Sequence, residues 1–191
     1  EAKVLVVDTE TRHLPADEAY EVVARLTRRA QCAGVSYIYK KTDSALRGNI
    51  GAELAAVLKA SGCRQLPFLP AFPQIGRITR GGVHYVDGVP VTESPFGIDP
   101  FEPVAHSVIT ELIAAQCDLP ARCFPALGAG DNVPQDEGIL VFDATDADDL
   151  HLTGRRLLEQ GALHIMAGCA GFAALLPGLL GIAAETSRPV P

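Results

Sequence analysis

Tryptophan is absent from this 191-residue sequence, and methionine occurs once, as Met166. Neither shortage decides a function, but other absences exclude more. The five cysteines, Cys32, Cys63, Cys117, Cys123 and Cys169, form no CxxC pair, and their odd number argues against a disulfide framework and against a zinc site. They are expected to be mostly small buried residues of a reduced compartment. Positive charge is scarce. Sixteen Lys and Arg face 23 Asp and Glu, a net charge of -7, so the basic stripe of a nucleic-acid surface is missing. No apolar run approaches the roughly 18 residues of a membrane span, and no signal peptide opens the chain. Neither membrane nor nucleic acid is expected as a partner, and the cytoplasm is the expected location. No GxxxxGK(S/T) phosphate loop, internal repeat or low-complexity tract occurs.

What is there reads as an ordinary globular chain, 48% hydrophobic and 20% charged, long enough for one large domain with a sizeable core. Lys3 to Thr9 (KVLVVDT) is a continuous apolar run, as expected of a central parallel strand covered on both faces. A helix starts at Pro15 or Ala16 with Asp17 and Glu18 in its first turn, and Gly34 ends it. Val35 to Tyr39 reads as a second buried strand, and Ile50, Leu54, Val57 and Leu58 mark the next helix, with Asn49 as an N-cap able to accept a first-turn amide. Further strands fall at Leu66 to Leu69, Gly138 to Ala144 and Leu163 to Ala167, and further helices at Val104 to Gln116 and Ala147 to Gln160. Ala121 to Pro134 carries only loop signals.

This alternation predicts a three-layer α/β fold: a mostly parallel sheet with helices on both faces. Pro70 to Pro103 breaks the pattern as an insertion, in which Asp87-Gly88 is a type I′ turn signal for a hairpin over His84 to Val91. His84 is expected to be a strand residue beside an aromatic and not a catalytic base. The domain is expected over residues 1–183, with the polar, proline-bearing residues 184–191 as a linker.

Chemistry concentrates in KKTDSALRGNIGAE, Lys40 to Glu53, between a strand and a helix. Ligands of open α/β sheets bind at the carboxyl ends of strands, where this loop falls. Arg47 offers a planar fork for a carboxylate or phosphate, Lys40 and Lys41 offer point charges, and Asp43, Ser44 and Asn49 can sort hydroxyl groups. A small polyhydroxy acid would suit the set. Asp43 pairing with Lys41 or Arg47 in a solvated turn is the bland alternative. Thr9 to Arg12 is expected to meet this loop, or Glu10 and Arg12 simply pair at the surface. Asp143, at a strand end, is expected to cap the next helix. Gly168 and Gly171 bracket a turn feeding a helix, either an anion site or tight strand-to-helix packing.

Three stretches carry a resemblance. KKTDSALRGNIGAEL, PAFPQIGRITRGGVHYVDGVPVTES (Pro70 to Ser94) and VVDTETRHL (Val6 to Leu14) resemble signatures of the four-carbon acid sugar kinase family, in family order, with Ala45 where the family has threonine. The resemblance implies an ATP-dependent kinase acting on threonate-like or erythronate-like acids, built from an amino-terminal sugar-acid domain and a carboxyl-terminal nucleotide domain. It adds Arg12, Gln74 and Arg77 to the candidate site. Arg47, helped by Arg12 or Lys41, is expected to hold the carboxylate, and Asp43, Ser44 and Asn49 to read hydroxyls. No catalytic residue and no metal ligand is assigned. ATP and Mg²⁺ belong to the complete enzyme, with none expected for this chain alone, and the resemblance leaves room for a homodimer. Family members open with an acidic, glycine-containing loop that does not precede Glu1, and their nucleotide domain is expected to begin where this sequence stops. A non-catalytic sugar-acid sensor, or a phosphatase or aldolase-like enzyme using the same loops, remains open as an alternative.

Overall fold

The computed structural model describes residues 4–182. In chain order its elements are α1 (Ala16–Cys32), β1 (Ile38–Lys41), α2 (Ile50–Ser61), β2 (Gln65–Leu69), β3 (Arg77–Arg80), β4 (Val83–Val86), β5 (Val89–Pro90), α3 (Ile109–Ala114), β6 (Ala121–Phe124), β7 (Gly138–Phe142), α4 (Ala147–Glu159), β8 (Ile165–Gly168), α5 (Ala170–Ala173) and α6 (Leu176–Leu179). The expected linker at 184–191 lies outside the described residues.

Five strands form a parallel sheet in the order β1-β8-β2-β7-β6. Side chains alternate across it. Leu66, Phe68, Ile139, Val141, Ile165 and Ala167 meet α2 and α3 in one core, whereas Leu140, Phe142 and Met166 meet Leu150, Leu157 and Phe172 of α4 and α5 in the other. Both faces of the central strands are therefore covered, as the apolar runs predict. Pro67, buried inside β2, lies outside the β2–β8 ladder, which starts at Phe68. Ile50 to Leu58 of α2 are buried without exception, because the helix is wedged between the sheet, α1 and α3. Gly51 makes that wedge fit: a Cβ there would lie 2.8 Å from the Ile113 carbonyl.

Several expectations are corrected. The central strand over Lys3 to Thr9 is not formed among the described residues: Val4 to Val7 join no ladder and are 59%, 82%, 86% and 51% exposed. An apolar run favours a pleated, buried setting, but a strand exists only where a neighbour completes its hydrogen bonds. β1 starts at Ile38 and not Val35. It is half-buried because it is an edge strand, with β8 as its one neighbour. The helix expected from Val104 is confined to α3, since Ser107 and Val108 are drawn into pairing with His84 and Val83. β6 was unreadable because its residues, half-buried with Arg122 exposed, show no apolar alternation. Cys169 is the one buried cysteine, and Cys32 and Cys63 are exposed.

The insertion forms a second sheet, β3-β4-β5, antiparallel. Its β4–β5 turn at Asp87-Gly88 has φ of 50° and 87°, as the sequence predicts. An additional hairpin turn at Gly81-Gly82 joins β3 to β4. Both its amides donate to Asp143, at 2.6 and 3.0 Å. Asp143 thus caps a hairpin and not the following helix, whose N-cap is Asp146. A Thr79–Ala144 bridge fixes the small sheet over the carboxyl ends of the parallel strands.

Candidate functional site

β1 delivers Lys40 and Lys41 and then gives way to a loop closed by one carboxylate. Asp43 Oδ2 accepts from the amides of Ala45 (3.1 Å) and Arg47 (3.3 Å) and from Arg47 Nε (3.0 Å). Its Oδ1 accepts from Arg47 Nη2 (2.9 Å) and Arg12 Nη2 (3.1 Å). Burial alone would raise the Asp43 pKa, but the hydrogen bonds and charge of Arg47 outweigh it and hold the carboxyl below its usual range. The same bond to Asp43, chiefly, raises Arg47. Asp43 is thus occupied as an anchor that brings two guanidinium forks together. The pairing with Arg47 foreseen as the bland alternative exists, and with it the convergence of Arg12. Glu10 takes no part in that convergence; its amide donates to Asp8.

Asn49 occupies the N-cap position of α2, yet its side chain makes no cap bond. Its Nδ2 donates instead to the carbonyls of Thr11 (2.9 Å) and Leu14 (2.8 Å). Thr11 also bonds to Glu53, and Glu53 is paired with Lys40 at 2.8 Å, both side chains nearly buried. The Thr9 to Leu14 segment is therefore tied to the β1–α2 loop through a network rather than through strand pairing. Ser44 has no side-chain hydrogen bond among the described residues, and Lys41 is exposed beside Gly168, its ladder partner.

The small sheet closes over this loop. His84 is fully buried; its Nε2 donates to the Ser44 carbonyl at 2.9 Å and its Nδ1 faces Thr79 Oγ1 at 3.3 Å. Burial pushes its pKa down to about 4, against the opposing pull of the Ser44 bond, so the imidazole is neutral at pH 7 and is a structural tie. Arg77 Nη1 donates to the Ile75 carbonyl at 2.6 Å and pairs with Asp87 at 3.2 Å. Arg47 and Arg77 both lie over the Phe96 ring, at 5.1 and 5.5 Å from its centroid. Two buried polar atoms have no partner among the described residues: Thr42 Oγ1 and Arg77 Nε. Gln74 is exposed in the turn before Arg77 and joins the cluster only through that turn. Beside the cluster, a 280 Å³ cleft lies between Leu46–Asn49 and Glu102–His106, with Leu112 and Gln116 on its α3 side.

Gly168 and Gly171 are not part of this cluster. A Cβ at either would lie 2.5 Å from the Leu69 carbonyl or 2.6 Å from the Ala71 carbonyl, and α5 is four residues long. Both glycines serve the tight packing of strand on helix. No cluster of three His, Cys, Asp or Glu able to hold a metal occurs among the described residues, and no helix there is long and apolar enough to cross a membrane. Sequence reasoning missed Glu53, which appears as one acid in an apolar helix. It also missed Phe96, an isolated aromatic in an irregular stretch that gives no periodic signal.

Fold and site together define an open parallel α/β domain whose strand ends carry a loop on which arginines converge under a small antiparallel sheet. The chain belongs to the sugar-binding N-terminal domain family, whose model matches residues 1–176. It is 36% identical over 191 residues to a D-threonate kinase of Salmonella typhimurium and 38% over 183 residues to one of Bordetella bronchiseptica, alignments that cover 92% of this chain and 44% of each relative. A D-erythronate kinase of Heliobacterium modesticaldum is 35% identical over 114 residues, 59% of this chain and 26% of the relative. A solved Bordetella bronchiseptica structure, described as a domain of unknown function with bound citrate and as a domain-swapped dimer, superposes with a TM-score of 0.82 at 34% identity, over 94% of this chain and 45% of that one. The chain spans less than half the length of the curated relatives it matches.

Proposed function

We propose that this chain is the sugar-acid-binding part of an ATP-dependent kinase that phosphorylates a four-carbon sugar acid of the threonate, erythronate or oxo-tetronate class. The observation that carries the reading is the convergence of Arg12 and Arg47 on Asp43 at the carboxyl end of β1, with exposed Lys41 alongside. In this reading Asp43 orients the two guanidinium groups, whose remaining N–H edges take the substrate carboxylate, and Lys41 adds a point charge. Ser44 reads a hydroxyl with its free side chain. Asn49 contributes by holding the Arg12 segment in place, and Gln74 and Arg77 form the closing side. Citrate in the solved relative and the kinase names of the curated relatives support an acid as ligand.

Phosphoryl transfer relies on positioning and on charge stabilisation around a cradled triphosphate. The residues described here offer the first for the acceptor and no cradle for the second. ATP and Mg²⁺ therefore belong, in this proposal, to the remainder of a full-length enzyme. A homodimer is part of the proposal on the strength of the swapped dimer described for the relative. Cytoplasmic residence suits the exposed free thiols of Cys32 and Cys63.

Calorimetry of the chain with D-threonate, D-erythronate and citrate tests the reading. Arg47→Lys keeps the charge and loses the fork, and should weaken binding about tenfold when measured well below the melting temperature, which itself should fall because the fork also closes on Asp43. Equal affinity in the two proteins removes Arg47 from the role. Sugar-acid-dependent ADP release by the chain alone, incubated with ATP and Mg²⁺, would overturn the division of labour.

A further inference from the structure

We propose that Phe96 is a positioning residue that joins Arg47 and Arg77 into one two-armed clamp for the acid. The inference rests on the acid-binding reading of Arg47 given above, and it adds a residue and a pairing that the family signatures do not single out.

The two arginines come from separate parts of the chain, Arg47 from the β1–α2 loop and Arg77 from the first residue of β3. Their guanidinium carbons nevertheless lie within 5.5 Å of one point, the Phe96 ring centroid. A cation stacked on an aromatic face is held through the plane of its guanidinium, so the N–H edges stay available for in-plane hydrogen bonds. A carboxylate partner would consume those edges. Arg77 retains such an edge: its Nη2 makes no hydrogen bond among the described residues, while its Nη1 is fixed by Ile75 and Asp87 and its Nε is buried. Arg47 is fixed through Nε and Nη2 by Asp43, leaving Nη1 without a partner among the described residues. Both arms are thus anchored on one side and open on another.

The platform itself is built rigidly. The Phe96 amide donates to Ser94 Oγ at 3.2 Å, its carbonyl accepts from Val104 at 2.9 Å, and the buried Ser94 hydroxyl is tied to the Val91 carbonyl at 2.7 Å. Gly97 lets the turn close: a Cβ there would sit 2.0 Å from the Thr92 carbonyl. The ring packs against the core that contains Leu46, Ile50 and Val91. Asp99 and Glu102 on the same segment add negative charge that favours the charged form of Arg47. The ligand class that fits two guanidinium forks on a fixed platform is a small acid whose oxyanion and hydroxyl oxygens can meet both at once.

The test compares Phe96→Leu, which keeps apolar bulk, with Phe96→Tyr, which restores the ring. Citrate and D-threonate binding are measured by calorimetry well below each melting temperature. Two cation–π contacts of modest strength predict an affinity about tenfold weaker for Phe96→Leu, with Phe96→Tyr within about twofold of the wild type and Arg77→Ala adding little on top of Phe96→Leu. In the ligand-free protein, the Nε–Hε resonances of Arg47 and Arg77 should carry a ring-current shift that Phe96→Leu abolishes. A Phe96→Leu protein that binds like the wild type overturns the clamp, even if its melting temperature falls, because that is the result of a purely structural ring. Unshifted arginine resonances in the wild type overturn it as well. A wild type that binds neither acid sinks the acid-binding reading, while the resonances still decide whether Phe96 holds the two arginines.

Discussion

Acid should loosen this protein through His84 before its carboxylates are affected. The imidazole is fully buried between the small sheet and the Asp43 loop, and its pKa falls from 6.5 to about 4. Between those values the unfolded chain binds a proton that the folded one does not, so stability falls as pH falls through this window and is flat above it. A depression of about 2.5 units corresponds to roughly 3 kcal/mol once both forms are protonated. From pH 7 to pH 5 alone the loss is about 2 kcal/mol. Asp43 acts in the same direction but at lower pH: its pKa is depressed below the carboxylate range, so its stabilisation is lost only as pH falls below the ordinary carboxylate value. Measurements above pH 5 therefore separate the two. The assay is urea unfolding at pH 5, 6, 7 and 8 followed by far-ultraviolet circular dichroism, since the chain has no tryptophan to report by fluorescence. His84→Gln keeps an N–H for the Ser44 carbonyl and cannot titrate, so the difference between wild type and variant isolates His84. A difference that stays flat from pH 5 to pH 8 would refute the reasoning. Should the variant not fold, the wild-type imidazole shift followed against pH serves instead, and an ordinary titration near pH 6.5 is the refuting result.

Two further outcomes follow from packing and charge. Lys40→Met strands the Glu53 carboxylate, 7% exposed and paired at 2.8 Å, and should cost about 3 kcal/mol in denaturant unfolding. Lys40→Met with Glu53→Leu should recover part of that loss, and a single variant as stable as the wild type would contradict the buried pair. Gly168→Ala drives a methyl to 2.5 Å from the Leu69 carbonyl and should cost about 2 kcal/mol or more with no anion present, whereas Gly178→Ala, with nothing within 4 Å, should be nearly neutral. Equal melting temperatures for the two would reopen the anion-turn reading.

The sequence by itself determined those elements whose evidence is local. β7 and β8 announce themselves as apolar runs, α1 and α4 by their acidic first turns and spacing, and the β4–β5 turn by Asp87-Gly88, because each is specified by residues within a few positions of one another. The Asp43 to Arg47 loop was legible for the same reason: its strand and helix are adjacent in the chain, and its bond pattern closes on itself. Pairing was not legible. Periodicity states that Val4 to Val7 prefer burial and says nothing of which strand would accept them. The place of β8 between β1 and β2 depends on contacts 99 and 127 residues apart, and pairings of that range leave no local pattern. The same limit hid the site's organisation. Arg12 reaches Asp43 only once Asn49 and Glu53 have tied its segment to the β1–α2 loop, and His84 reaches Ser44 and Phe96 meets two arginines only after the small sheet has docked on the strand ends. That docking is decided by the Thr79–Ala144 bridge and the two amides capped by Asp143. Side-chain roles changed accordingly. Asn49 and Asp43, each suited by type to read a hydroxyl, became anchors because the folded chain brought them carbonyls and guanidinium groups to pair with.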